Sequence, residues 1–196
     1  MSTHRIAVLP GDGIGKETIR EALKVLRAVE KRAQGAFKLE TSDLDWNSDY
    51  YVKHGRMMPA DGLDILKGYD AILFGAVGDA RVPEHVSVAE TILAMRRGLD
   101  QWANIRPARL FAGAPCPLKD KKPGSIDFVV VRENTEGEYA DIGGSLFTNT
   151  SHEIAVQSAV FTRRGCERIL RYGFELARKR KLQGVGNGQL ISVRKH

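Results

Sequence analysis

The sequence predicts an α/β protein, a sheet with crossover helices, and three observations carry that prediction. Apolar runs alternate with helically spaced apolar positions along most of the chain. The run RIAVL empties into a glycine-rich turn and then a helix pattern, the start of a β-α-β unit. The run DAILFGAV reads as a second strong strand bounded by turn residues.

Taken in order, RIAVL is the first strand. Lys16 to Ala33 follows as a helix with Ile19, Ala22, Leu23, Leu26 and Val29 on one face. A strand in FKLETSDL, a short helix from Pro59 and the strand DAILFGAV complete a β-α-β-α-β run. AETILAMRRGLD continues as a helix, WANIRPARLF as a strand, and DFVVVREN as a buried strand between the turn segments KKPGS and NTEG. ADIGGSLFTNTSHEIAVQSAVFT mixes turn residues with alternating apolar ones, which predicts a hairpin-like excursion before a helix from Arg163 to Lys181. The stretch LQGVGNGQLISVRKH then breaks the pattern, leaving strand edges open.

With 196 residues and 42% hydrophobic content, the chain is long enough for one ordinary domain or two small ones. Cys116 and Cys166 have neither zinc-site nor disulfide spacing, which fits a reducing cytoplasm. No apolar stretch approaches the roughly 20 residues that cross a bilayer, and the start MSTHR lacks the apolar centre of a secretion signal. The net charge of +6 raises a nucleic-acid reading. However, the excess gathers at Arg178, Lys179, Arg180, Lys181, Arg194 and Lys195 without interleaved aromatic residues, which reads as a solvated basic helix end rather than a base-stacking surface.

The loop PGDGIGKET invites a phosphate-binding reading and fails it. A P-loop needs an earlier glycine where Pro10 stands and a hydroxyl residue where Glu17 stands. A dinucleotide fingerprint through Gly11 and Gly13 would need a third glycine where Lys16 stands. What remains is a strand, a turn and a helix, open either to a plain tight turn or to a loop that meets a ligand.

Three arginines are candidate anion ligands: Arg96 in AMRRGLD, Arg106 in NIRP and Arg132 at the end of VVVR. Arg132 is the most informative, because open α/β sheets bind ligands at the carboxyl ends of their strands and a guanidinium pairs with carboxylates in a fork. Tyr139 follows in ENTEGEY; spacing alone favours a half-buried tyrosine with a satisfied hydroxyl over a functional one.

Taken together, LPGDGIG, FGAVGDARVPEHVS, RRGLDQWANIRPARLF and VVVRENTEGEY resemble the β-decarboxylating dehydrogenases, the family of isopropylmalate and isocitrate dehydrogenases, over residues 5 to 181. DWNSDYYVKHGRMMPADG and VPEHVS resemble its tartrate and decarboxylating D-malate dehydrogenase branch. The resemblance implies an isopropylmalate-dehydrogenase-like open sheet. It implies that Arg96, Arg106 and Arg132 grip the carboxylates of a 2-hydroxy diacid. It further implies that hydride passes to NAD, that carbon dioxide is lost, and that Tyr139 acts as general acid on the resulting enolate. Gly75, Val77 and Gly78, with Gly13 and Ile14 across from them, would border the nicotinamide.

The same resemblance implies domain roles: residues 1–100 as the first part of a large cofactor-side α/β domain, 101–181 as part of a small dimerisation domain with an arm-like excursion, and 182–196 as a tail outside the pattern. Family chains are about twice as long, so it also implies that the second half is absent. With it would go the Mg²⁺ or Mn²⁺ ligands, a lysine serving the partner subunit of a homodimer, and the adenosine site. The expectations are poor autonomous stability, a frameshift as the origin of the tail, and, as the alternative to an active enzyme, an inactive fragment that pairs with an intact homologue.

Overall fold

The computed structural model describes residues 2–193; Arg194 and Lys195 of the basic carboxyl end lie outside the described residues. The chain divides into two compact units, Met1–Leu99 and Asp100–His196.

The first unit is a parallel three-stranded sheet in the order β2-β1-β3, made of β1 (Ser2–Gly11), β2 (Phe37–Asp43) and β3 (Ala71–Ala76). Register is set by pairs such as Ser2↔Phe37 and Val8↔Leu73. The central strand buries Ala7, Val8 and Leu9 in succession, the continuous pattern of a strand covered on both faces. Helix α1 (Ile14–Arg32) makes the crossover to β2. It buries Ile19 and half-buries Ala22, Leu23 and Leu26, while Val29, expected on the same face, stays 49% exposed near the helix end.

Two short helices, α2 (Ser48–His54) and α3 (Gly62–Lys67), lead to β3. Helix α3 is the one expected after Pro59. Helix α2 adds to the elements the sequence predicts, because seven residues are too few to display a helical period. Its ends are nevertheless written in the sequence: the Asn47 side chain accepts from the Tyr50 N–H at 3.0 Å, and Gly55 closes the helix at φ 69°. After β3, α4 (Glu84–Ser87) passes through a π-helical stretch (Val88–Leu93) into α5 (Ala94–Gly98). Ala7, Leu9, Trp46, Leu66 and Met95 form the core, with Tyr50, Ile72 and Phe74 packed on it.

The second unit holds two antiparallel ribbons and one long helix. β4 (Ala103–Arg109) pairs with β5 (Asp127–Glu133), and β6 (Gly137–Leu146) pairs with β7 (Ile154–Val160). No helix intervenes between β4 and β5, so the connection is of the hairpin kind and the pair is antiparallel. The expected excursion is the β6–β7 ribbon. Helix α6 (Arg163–Leu182) starts at Thr162, whose hydroxyl accepts from the Gly165 N–H at 3.0 Å, and it packs on β5.

Candidate active site

In the first unit, the carboxyl ends of β1 and β3 lie against each other. A methyl group on Gly11 would run into the Ala76 carbonyl, and one on Gly75 would run into the Pro10 carbonyl. Those two glycines are thus required by the approach of the protein's own backbone. Gly13 and Gly78 are different. Both have positive φ, 46° and 145°, and nothing lies within 4 Å of where a side chain would begin. Ile14 beside them is 63% exposed and Val77 is half-buried.

Asp12 ties this loop together. Buried at 5% exposure, its carboxylate accepts from the Ser48 N–H (2.9 Å), the Ser48 hydroxyl (2.7 Å) and the Gly78 N–H (3.0 Å). At the rim, Arg81 bridges Asp79 (2.7 Å) and Asp49 (2.8 Å), and Lys16 reaches Asp49 at 3.4 Å. The side-chain hydrogen bond from Arg81, helped by the Arg81 N–H, draws the Asp79 carboxyl down to about 2. Asp49 is likewise lowered, first by Arg81 and then by Lys16.

In the second unit, Asn104 pairs with Arg132 and Arg106 with Val130 across the β4–β5 ribbon. Alternation along the strands puts Asn104, Arg106 and Arg132 on one face. The Arg132 Nη2 donates to the Tyr139 hydroxyl at 2.7 Å, and its guanidinium carbon stands 5.1 Å from the centre of the Tyr139 ring. The Arg106 Nε donates to Asn104 Oδ1 at 3.2 Å. The Asn104 amide reaches Asn134 at 3.4 Å, and Asn134 donates to the Gln101 carbonyl at 3.2 Å.

The turn that brings Tyr139 back to Arg132 is fastened by Glu133. Its carboxylate accepts from the Thr135 hydroxyl (2.7 Å), the Thr135 N–H (2.9 Å) and the Glu136 N–H (2.8 Å). Partial burial pushes the Glu133 carboxyl up, but the donors of Glu136 and Thr135 outweigh it and hold it below the usual range. Behind the turn, Arg168 of α6 is 17% exposed and donates to Asp100 (2.9 Å) and the Thr135 hydroxyl (2.7 Å), with its guanidinium 5.2 Å over the Trp102 ring.

The sequence model described as isocitrate/isopropylmalate dehydrogenase matches residues 5–196. The chain belongs to the isocitrate/isopropylmalate dehydrogenase family. Among its relatives, the D-malate dehydrogenase [decarboxylating] of Escherichia coli (strain K12) is 53% identical, the alignment covering 98% of this chain and 55% of that one. The tartrate dehydrogenase/decarboxylase of Pseudomonas putida is 51% identical, with 96% and 53% covered. The crystal structure of isocitrate dehydrogenase from Methylococcus capsulatus superposes with a TM-score of 0.71 at 31% identity, over 91% of this chain and 48% of that one. The chain therefore has the α/β fold of this family and spans about half the length of the curated relatives it matches. The family match continues through residue 196, past Lys181, where the resemblance seen in the motifs stops.

Of the candidate residues in this family member, Arg106 and Arg132 share one face of the β4–β5 ribbon, and Tyr139 of β6 meets Arg132 there through its hydroxyl. Arg96 lies on α5 of the first unit, half-buried beside the buried Met95. Gly13, Ile14, Gly75, Val77 and Gly78 gather around the β1 and β3 ends. Sequence reading missed Asp12, Asn104 and Asn134. Asp12 stands among glycines whose spacing carries the loop motifs, and the two asparagines acquire meaning only through strand register. Among the described residues, no three or more His, Cys, Asp or Glu group as a metal site would require, and no helix is long and apolar enough to cross a membrane.

Proposed function

We propose that the chain carries the hydroxy-acid-binding part of an oxidoreductase that passes hydride from a 2-hydroxy diacid of the D-malate or tartrate type to NAD, with loss of carbon dioxide. The observation that carries this reading is the 2.7 Å hydrogen bond from Arg132 to the Tyr139 hydroxyl on the ribbon face that also holds Arg106. The names of the Escherichia coli and Pseudomonas putida relatives support the substrate class.

Arg106 and Arg132 bind and orient the carboxylates, since each presents a planar fork that matches a carboxylate. Asn104 holds Arg106 at its Nε and leaves the two terminal nitrogens for the substrate. Tyr139 gives its hydroxyl proton to the carbon that loses carbon dioxide, and Arg132 then faces the phenolate oxygen with an N–H already aimed at it. Arg96 is assigned to the diacid on the family resemblance. NAD supplies the hydride acceptor when bound, and the open flanks of Gly13 and Gly78, with Ile14, Gly75 and Val77, would border its nicotinamide. The described residues do not by themselves fit the Mg²⁺ or Mn²⁺ that the family resemblance implies.

Residues 1–100 then serve as the first part of the cofactor-side domain and 101–181 as part of the dimerisation domain. The β6–β7 ribbon supports pairing with a second copy. Ile142, Leu146, Ile154 and Val156 share one face by register and are each more than half exposed. Free Cys116 and Cys166 support a reducing, cytoplasmic setting.

The test is reduction of NAD by the chain with D-malate or tartrate and Mn²⁺, compared with Tyr139→Phe. A loss of about 10²-fold or more in the variant is expected; equal turnover removes Tyr139 from the chemistry. Substrate binding without turnover favours the second reading, a binding unit that completes itself by pairing with an intact homologue through the exposed ribbon.

A further inference from the structure

We propose that Asp12 is a positioning residue that acts through the Val77–Gly78 peptide and makes the site prefer a nicotinamide carboxamide over the corresponding carboxylate. The inference rests on the reading that residues 75–78 border the nicotinamide.

Asp12 holds segment 76–78 at both ends. Its N–H donates to the Ala76 carbonyl at 2.6 Å, and its Oδ2 accepts from the Gly78 N–H at 3.0 Å. The same Oδ2 accepts from the Ser48 hydroxyl, and Oδ1 from the Ser48 N–H, so the carboxylate cannot turn without breaking bonds on α2. A trans peptide is planar with N–H and C=O on opposite sides, and no peptide bond here is cis. A Gly78 N–H fixed toward Asp12 therefore fixes the Val77 carbonyl away from it. The Gly78 flank has nothing within 4 Å of a would-be Cβ, which leaves the peptide approachable there.

A carbonyl oxygen only accepts. A nicotinamide carboxamide offers it an NH₂ donor, whereas the carboxylate of nicotinic acid offers acceptors alone. A peptide locked in this orientation thus favours the amide, and one free to flip would present its N–H and lose the distinction. In Asp12→Asn the side chain keeps its shape, but its NH₂ must face either the Ser48 N–H or the Gly78 N–H, so the amide cannot accept from both and the clamp between α2 and the Gly78 peptide opens on one side.

The experiment is calorimetric titration of the full 196-residue chain, and of Asp12→Asn, with nicotinamide mononucleotide and with nicotinic acid mononucleotide. The unmodified chain should favour the amide by about tenfold or more, and Asp12→Asn should reduce that ratio to below about threefold while binding both. An unchanged ratio in Asp12→Asn overturns the inference. Equal binding of both probes by the unmodified chain overturns it and leaves the nicotinamide reading standing, whereas binding of neither overturns that reading and the inference with it. If Asp12→Asn lacks native circular dichroism, hydrogen exchange of the Gly78 amide in the unmodified chain decides: a protected amide supports the lock, and exchange at the open-chain rate overturns it.

Discussion

The two units bury their apolar side chains very differently. In the first, Ala7, Val8, Leu9, Ile19, Trp46, Met57, Leu66, Val82 and Met95 are all buried, whereas Leu110 is the buried apolar side chain among the described residues of the second. The second unit exposes Phe111, Phe128, Ile142, Leu146, Phe147, Ile154, Val156 and Phe161 to more than half their surface. The first unit is packed around a buried apolar core, whereas the second buries little apolar surface and fastens its turn through Glu133 and Arg168. The lesson is a division of roles: the packed unit sets the loops at the β1 and β3 ends rigidly, while the ribbon unit carries the Arg132–Tyr139 pair on a scaffold that gains by covering its apolar surface.

The largest expected effect is a core truncation. Leu66→Ala should cost the first unit about 2 to 5 kcal/mol, whereas Leu146→Ala on the ribbon should stay within about 0.5 kcal/mol. Urea unfolding followed by circular dichroism checks both, and a large loss from Leu146→Ala in the isolated chain would break the contrast. Next comes Arg168→Ala, which removes the guanidinium from Asp100, Glu133 and Thr135. It should cost roughly 2 kcal/mol, and Arg168→Lys should recover part of it, because an ammonium replaces the charge but not the fork. A smaller loss, about 1 kcal/mol, is expected for Asn47→Ala at the start of α2.

Much of this architecture is legible in the sequence. RIAVL and DAILFGAV declare β1 and β3 because a central parallel strand is apolar without alternation. The Gly-Gly-rich excursion declares β6 and β7 through its turn residues. Helix α2 escapes because a seven-residue helix is signalled at its caps and not by a period. At the site, residue type alone pointed to Arg106 and Arg132, and only the register Asn104↔Arg132 shows that they share a face. Gly75 shows the limit of such reading: a glycine that suggested ligand approach is required where β3 meets the Pro10 carbonyl.

The smallest effect is a pH dependence at the rim of the first unit. Arg81 lowers Asp79 to about 2, and a carboxyl lowered on folding contributes stability that is present above its unfolded value and lost as pH falls toward the folded one. Anchoring of the loop after β3 should therefore weaken between about pH 4 and pH 2, and solvent should screen the effect because these groups are exposed. The protection of the Arg81 amide, its exchange divided by the open-chain rate at each pH, checks the direction; protection that rises toward the acid end would contradict it.

On the proposed function, Arg106 and Arg132 of the β4–β5 face, with Tyr139 of β6 bonded to Arg132, bind a hydroxy dicarboxylate. Calorimetric titration of D-malate into the chain, into Arg132→Gln and into Arg20→Gln on the exposed side of α1 tests it most directly. Arg132→Gln should weaken binding by about tenfold or more, while Arg20→Gln should bind like the unmodified chain. Equal affinity in all three proteins would contradict it.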